Sequence, residues 1–232
     1  MRKLFGAVLF IVILITFMAL LFGSREHLSD LSAQISHMKH KRTTGKKTSA
    51  SEPSVQKSDI LLVNTWNPLP YGFMPGGLVD LFEYKKRNFD LASSDIQLEK
   101  AALKAADSMF AAAKRDNVGG FIITSGYRNK EKQAELYSDN GDGMAAKPGY
   151  SEHETGLALD ITADKSGKGF DTTPQFYFLI KNCWDYGFIL RYPENKEHIT
   201  GIPYEPWHYR YVGLPHSQII RDKNITLEEY LY

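Results

Sequence analysis

SEHETGLALDI, residues 151–161, sets the reading of the whole chain. Leu157, Leu159 and Ile161 alternate with Ala158, Asp160 and Thr162, the period of two expected of a strand with one buried face. Asp160 then points away from the face that the aliphatic side chains bury. Upstream, Gly156 lets the chain turn from His153 into that strand. An imidazole and a carboxylate are thereby offered from one turn and one strand.

Working outward, FIIT (residues 121–124) reads as another buried strand, and Asn129 caps a helix carrying Gln133, Leu136 and Tyr137. Before it, Ser94 or Asp95 serves as the cap of a helix whose apolar face is Leu98, Ala102, Ala105, Met109 and Ala112, ending before Gly119 and Gly120. After it, Thr173 followed by Pro174 opens a helix that Gly187 closes. FILRY (188–192) and WHYRYV (207–212) follow as strands, and ILLVN (60–64) reads as a short strand at the start of the domain. Strands and helices interspersed with short connections, with no Gly-rich phosphate loop, predict an α+β domain with a mainly antiparallel sheet.

The amino-terminal quarter differs in kind. Leu4 to Gly23 is uncharged and apolar, long enough to cross a hydrocarbon core of about 30 Å as one transmembrane helix. It is too long for a signal-peptide core and is followed by no A-x-A cleavage pattern. Leu28, Leu31, Ile35 and Met38 form one stripe of a short stalk with a weak capacity to dimerise, and residues 39–58 are polar linker. The expected organisation is therefore a cytoplasmic tip and anchor over 1–23, a stalk and basic linker over 24–58, and a catalytic domain over 59–232. Residues 1–58 carry nine Lys/Arg against three Asp/Glu, so the chain's net +1 conceals an acidic domain behind a basic leader. That excludes the basic footprint of a nucleic-acid binder on the folded part. A lone cysteine, Cys183, excludes both a disulfide framework and a thiolate zinc cluster, and its place beside Trp184 in an apolar helix marks it as a core residue.

Four residues could do chemistry: His153, Asp160, Glu205 and His208. Zinc hydrolases use three protein ligands and leave the fourth position to water, and two histidines with one carboxylate is a usual set. The four supply that set plus one carboxylate to act as base. A zincin helix is excluded, since the second histidine it needs would fall at Leu157. Glu205 and His208 would face opposite ways on a regular strand, but Pro206 favours a bend that brings them together. From spacing alone, a metal site and a set of packed or surface residues both remain open. His198 and His216 read as surface or capping residues, and Tyr204, Trp207, Tyr209 and Tyr211 as cleft walls or sheet packing.

SGYRNKEKQ (125–133), SEHETGLALDI (151–161) and EPWHYRYVG (205–213) together resemble the zinc D-alanyl-D-alanine carboxypeptidases of the VanY type, related to the D-Ala-D-Ala dipeptidases and to the hedgehog-like fold. The resemblance implies that His153, Asp160 and His208 hold one Zn²⁺, that Glu205 is the general base, and that Arg128 stabilises the oxyanion or holds a substrate carboxylate. It also implies substrate hydrogen bonds from Gln133 and Ser151. The expected activity is removal of the terminal D-Ala from peptidoglycan pentapeptide stems outside the cytoplasmic membrane, with a part in glycopeptide resistance. Its rivals on the same site are an L,D-carboxypeptidase, a D,D-dipeptidase and a wall endopeptidase; a non-enzymatic wall-binding protein is the rival from another class.

Overall fold

The computed structural model describes residues 56–140, 145–163 and 169–232. The expected transmembrane stretch and stalk and nearly all of the expected linker lie outside the described residues. Among those described, no helix is long and apolar enough to cross a membrane.

A five-stranded sheet organises the domain, in the order β2 (Asp90–Leu91), β4 (Phe121–Ser125), β5 (Ala158–Ala163), β7 (His208–Tyr211), β6 (Phe188–Leu190). Only β2 and β4 run parallel; every other pairing is antiparallel. A separate ribbon joins β1 (Leu78–Asp80) to β3 (Gln97–Glu99). The α+β, mainly antiparallel architecture is as expected.

One face of the sheet is a packed apolar layer. Leu159 and Ile161 of β5, Ile123 of β4 and Tyr209 of β7 are wholly buried there. They meet helix α1 (Lys100–Arg115) through Leu103, Ala106, Met109 and Phe110, and helix α3 (Pro174–Asn182) through Phe178 and Leu179. Phe110 sits on Phe121 with ring centroids 4.7 Å apart and planes tilted by 33°. Cys183 lies in this core, its thiol pKa pushed far up by burial. Because side chains alternate along a strand, what β5 and β7 present to the opposite face is Asp160, His208 and Arg210. Beside Arg210 on that face, Ile189 packs with α5 (His216–Lys223) and α6 (Leu227–Leu231) through Ile220, Leu227 and Tyr230.

Local signals placed several elements well. Asn129 Oδ1 accepts the Lys132 amide at 2.8 Å at the start of α2 (Lys130–Asn140). Thr173 Oγ1 accepts the Phe176 amide at 3.1 Å and Pro174 follows at the first helical position, as the sequence signature demands. That helix stops at Asn182; a 3₁₀ turn, Cys183–Tyr186, carries the chain on to Gly187, and a four-residue helix, α4 (Glu197–Thr200), follows β6.

Two expectations fail. The helix expected from Ser94 or Asp95 starts only at Lys100, because Gln97–Glu99 pair with β1 and Leu98 is the buried centre of that ribbon. Asp95 is engaged by the Ser93 hydroxyl at 2.5 Å instead of capping a helix. The buried stripe of α1 accordingly includes Leu103, Ala106, Phe110 and Ala113, with Ala105 and Ala112 at its margin. The second failure is Ile60–Val63, which joins no strand: Val63 is buried and Ile60 and Leu62 pack on the C-terminal cluster, while the nearest pairing is an isolated bridge from Asn64 to Asn67.

Candidate metal centre

His153 belongs to a 3₁₀ turn, Glu152–Thr155, that closes on Gly156 in the left-handed region at φ 72°. A side chain at Gly156 would approach Leu78 to 2.9 Å, so the turn needs glycine for space as well as for its backbone. The imidazole Nδ1 lies 2.7 Å from the carbonyl oxygen of Gly126. A carbonyl only accepts, so Nδ1 carries the hydrogen and Nε2 presents its lone pair. Gly126 can approach this closely because it has no Cβ; one added there would sit 2.3 Å from the Gln97 carbonyl oxygen.

Asp160 and His208 are directly opposite each other on β5 and β7. His208 Nδ1 is 3.1 Å from Asp160 Oδ1, and His153 Nε2 is 3.3 Å from Asp160 Oδ2. Glu205 reaches the same place from the turn before β7, where its carbonyl accepts the His208 amide, and its Oε2 lies 3.7 Å from His208 Nδ1. The bend expected around Pro206 is what brings both side chains to one side.

The chemistry of this donor set fits a dication. One ligand atom each from His153, Asp160 and His208 falls within 4.8 Å of the others. Ligands at tetrahedral zinc, about 2.0–2.1 Å from the ion, stand roughly 3.3 Å apart, close to the separation of each imidazole from its nearer Asp160 oxygen. Although these atoms stand that close, His153 Nε2 and Asp160 Oδ1 are buried without a contact of hydrogen-bond geometry, an expensive state unless an ion sits between them. The electrostatics agree. Burial alone would raise the Asp160 pKa, yet His153 and His208 hold it far below the usual carboxylate range. Burial alone would lower the His208 pKa, but Asp160 and Glu152 push it up to about 9. Positive charge is strongly favoured at this point, and a metal ion would substitute for that proton.

Glu205 is different. Burial raises its pKa, only partly offset by His208 and Arg128, and its side chain stays 28% exposed. A base reachable from solvent with an elevated pKa suits proton transfer better than ligation. Arg128 is partly buried, its Nη1 donating to Gln133 Oε1 at 3.0 Å while its Nε has no partner. Gln133 is fully buried and its Nε2 donates to the Ala146 carbonyl at 2.7 Å, so its amide braces Arg128 against the 145–150 loop. Ser151 is buried at the entry to the histidine turn. His198 is exposed and His216 contacts the Tyr230 hydroxyl at 2.8 Å, both away from the cluster. Tyr209 packs wholly in the core and Tyr211 against Phe188, whereas Trp207 is 42% exposed.

Sequence reasoning missed a second tier. Glu152 is fully buried, and its Oε2 faces His208 Nε2 at 3.4 Å while its Oε1 accepts from Arg191 and Arg210, each at 2.8 Å. Burial would raise its pKa, but the two guanidinium groups and His208 keep it well below the usual range. Tyr192 lays its ring 4.9 Å from that of His208 and is itself covered by Arg191. The available signal was an arginine in each of two apolar strands, FILRY and HYRYV, which can be buried only with a carboxylate partner.

Residues 95–214, just over half of the chain, match the family described as VanY, D-alanyl-D-alanine carboxypeptidase. A D-alanyl-D-alanine carboxypeptidase of Enterococcus faecium is 39% identical over 183 residues, which cover 78% of this chain and 60% of that protein. Among solved structures, the LD-carboxypeptidase LdcB is similar at a TM-score of 0.65 and 35% identity, covering 73% of this chain and 83% of that one. A zinc-bound mutant of the D,D-pentapeptidase VanY, from a VanB-type vancomycin-resistance cassette, is similar at a TM-score of 0.62 and 33% identity, covering 74% and 97%. The matched stretch contains every residue of the His153–Asp160–His208 cluster together with Glu205 and Arg128, and the chain belongs to the VanY family of D-alanyl-D-alanine carboxypeptidases.

Proposed function

We propose that the chain is a zinc-dependent carboxypeptidase that removes the terminal D-Ala from peptidoglycan stem peptides ending in D-Ala-D-Ala. The observation that carries this reading is the convergence of His153, Asp160 and His208 with unsatisfied buried ligand atoms, beside a partly exposed Glu205 of raised pKa. Bound by those three side chains, a zinc ion would polarise the scissile carbonyl and acidify a water. Glu205 takes the proton of the attacking water and delivers it to the leaving D-Ala amine. Arg128 offers its guanidinium, fixed by Gln133, to the negative charge that grows on the carbonyl oxygen. Ser151 lines the entry to the histidine turn as a substrate contact.

The purified chain with Zn²⁺ should contain one zinc, and on pentapeptide muropeptides it should release a single D-Ala, measured by mass spectrometry. Chelation should stop the release, and a His208→Ala variant should fail to retain the metal. Full activity without metal would sink the reading. The neighbouring LD-carboxypeptidase structure favours one other reading, cleavage of the L,D bond of tetrapeptides. Including tetrapeptide stems in the same panel separates the two. The same trimming would be the chain's part in glycopeptide resistance, the setting named for one structural neighbour.

The domain is proposed to act outside the cytoplasmic membrane, tethered by residues 4–23, because an apolar run of that length spans. Protease shaving of intact protoplasts should cut within residues 39–58 and release the domain. Protection of that stretch until lysis would place the domain on the other side.

A further inference from the structure

The chemistry of the site ends at Glu205 and His208, yet a chain of buried charge runs on from it to the end of the protein. Glu152 accepts from His208 on one oxygen and from Arg191 and Arg210 on the other. Arg191 then turns its remaining nitrogens onto Glu228 of α6 as a fork, Nη1 to Oε2 at 2.9 Å and Nη2 to Oε1 at 2.5 Å. Glu228 is held in turn by Asn64 Nδ2 at 3.0 Å, and Arg210 by the Leu61 carbonyl at 2.8 Å. Arg191 and Arg210 are at most 1% exposed, and Glu152 and Glu228 at most 6%. Two carboxylates and two guanidiniums thus balance one another at full depth.

Such a cluster is a costly way to fill a core, since apolar residues of the same volume usually serve stability as well or better. Its value must lie elsewhere, and its terminus shows where. A metal-ligating imidazole is oriented by the acceptor of its other N–H, and loss of that acceptor weakens the metal. A carboxylate can serve as that acceptor in a dry interior only if its own charge is matched, which Arg191 and Arg210 do. The fork from Arg191 to Glu228 fixes Arg191 in one rotamer, and Glu228 belongs to a helix beyond residue 214, where the family match stops.

We propose that Glu152 is the positioning residue for His208 and that Glu228 on the C-terminal helix aims it through Arg191, so that α6 is part of the apparatus holding the metal. The inference rests on the reading of the site as a zinc site. It is tested with the full chain by chelator competition for Zn²⁺ and by the visible spectrum of the Co²⁺-loaded form. Both are recorded well below the melting temperature of each variant.

Glu228→Gln removes the charge at the far end of the chain and touches no ligand. It should weaken zinc binding by up to about 10-fold, the low end of what loss of a ligand's direct partner costs, and alter the cobalt bands. Ile220→Ala, a cavity in the same C-terminal cluster with no polar link to the site, should lower the melting temperature but leave zinc affinity and spectrum unchanged. If Glu228→Gln does not fold, Glu152→Asp makes the same discrimination, since it keeps the charge and shortens the reach to His208. Unchanged zinc affinity in the folded variant overturns the proposal, and so does an equal loss in Ile220→Ala. If the unaltered chain takes up no zinc, the fault lies with the metal reading itself.

Discussion

Glu205→Gln should keep its zinc and its fold while losing turnover on D-Ala-D-Ala peptides by about 10²–10⁴-fold, the usual contribution of a positioned general base. Glutamine matches glutamate in size and can still accept a hydrogen bond, but it cannot take a proton from water. Little else should change, because Glu205 is the outlier of the cluster. Its oxygen stands 3.7 Å from His208 Nδ1, farther than either contact of Asp160, and its pKa is raised where that of Asp160 is depressed. Asp160→Asn should behave in the opposite way, losing metal because a neutral amide is a poor replacement for a carboxylate between two imidazoles. Elemental analysis alongside steady-state rates separates the roles. Loss of metal from Glu205→Gln with retention in Asp160→Asn would mean that the two are exchanged.

How much of this was legible depended on how local the determining contact is. Asn129, Thr173 with Pro174, and the alternation through Leu159, Asp160 and Ile161 each act within a few residues, and each element was placed from sequence. Leu98 misled because it stands four residues before Ala102, a helical spacing, while its actual partner is Val79 on β1, which no pattern local to Leu98 discloses. Ile60–Val63 misled because an apolar run looks like a strand whether or not a neighbour exists to pair with. That segment is held by packing under α5 and α6 and by Arg210 donating to the Leu61 carbonyl.

The candidate site divides along the same line. His153, Asp160, Glu205 and His208 are chemically conspicuous, so residue type and motif found them, and the structure gathers all four. Glu152 is as close to His208, but it sits unremarked between Ser151 and His153, and its partners lie 39, 58 and 56 positions away. Gln133 was singled out by the family resemblance as a substrate contact, and the structure adds a local role, its amide spanning Arg128 and the Ala146 carbonyl.

Arg191→Met should cost about 3–5 kcal/mol of stability, the usual penalty for removing one member of a buried ion cluster and leaving its partners uncompensated. Arg191 is fully buried, so solvent does not screen the loss. Its removal leaves Glu228 with only Asn64 and Glu152 with only Arg210 and His208. For a domain of this size the melting temperature should fall by on the order of 10 °C, at roughly 2–4 °C for each kcal/mol. The penalty comes from the orphaned charge more than from lost attraction, so the double variant Arg191→Met with Glu228→Leu should regain more than half of it. Thermal and urea unfolding of the two variants measure this directly, and a single-variant loss below about 1 kcal/mol would show that water reaches the cluster. The double variant also separates what the charges contribute to folding from what they contribute to the site. With Arg191 and Glu228 both gone, Glu152 is held by Arg210 alone, so most of the stability should return while zinc affinity stays low.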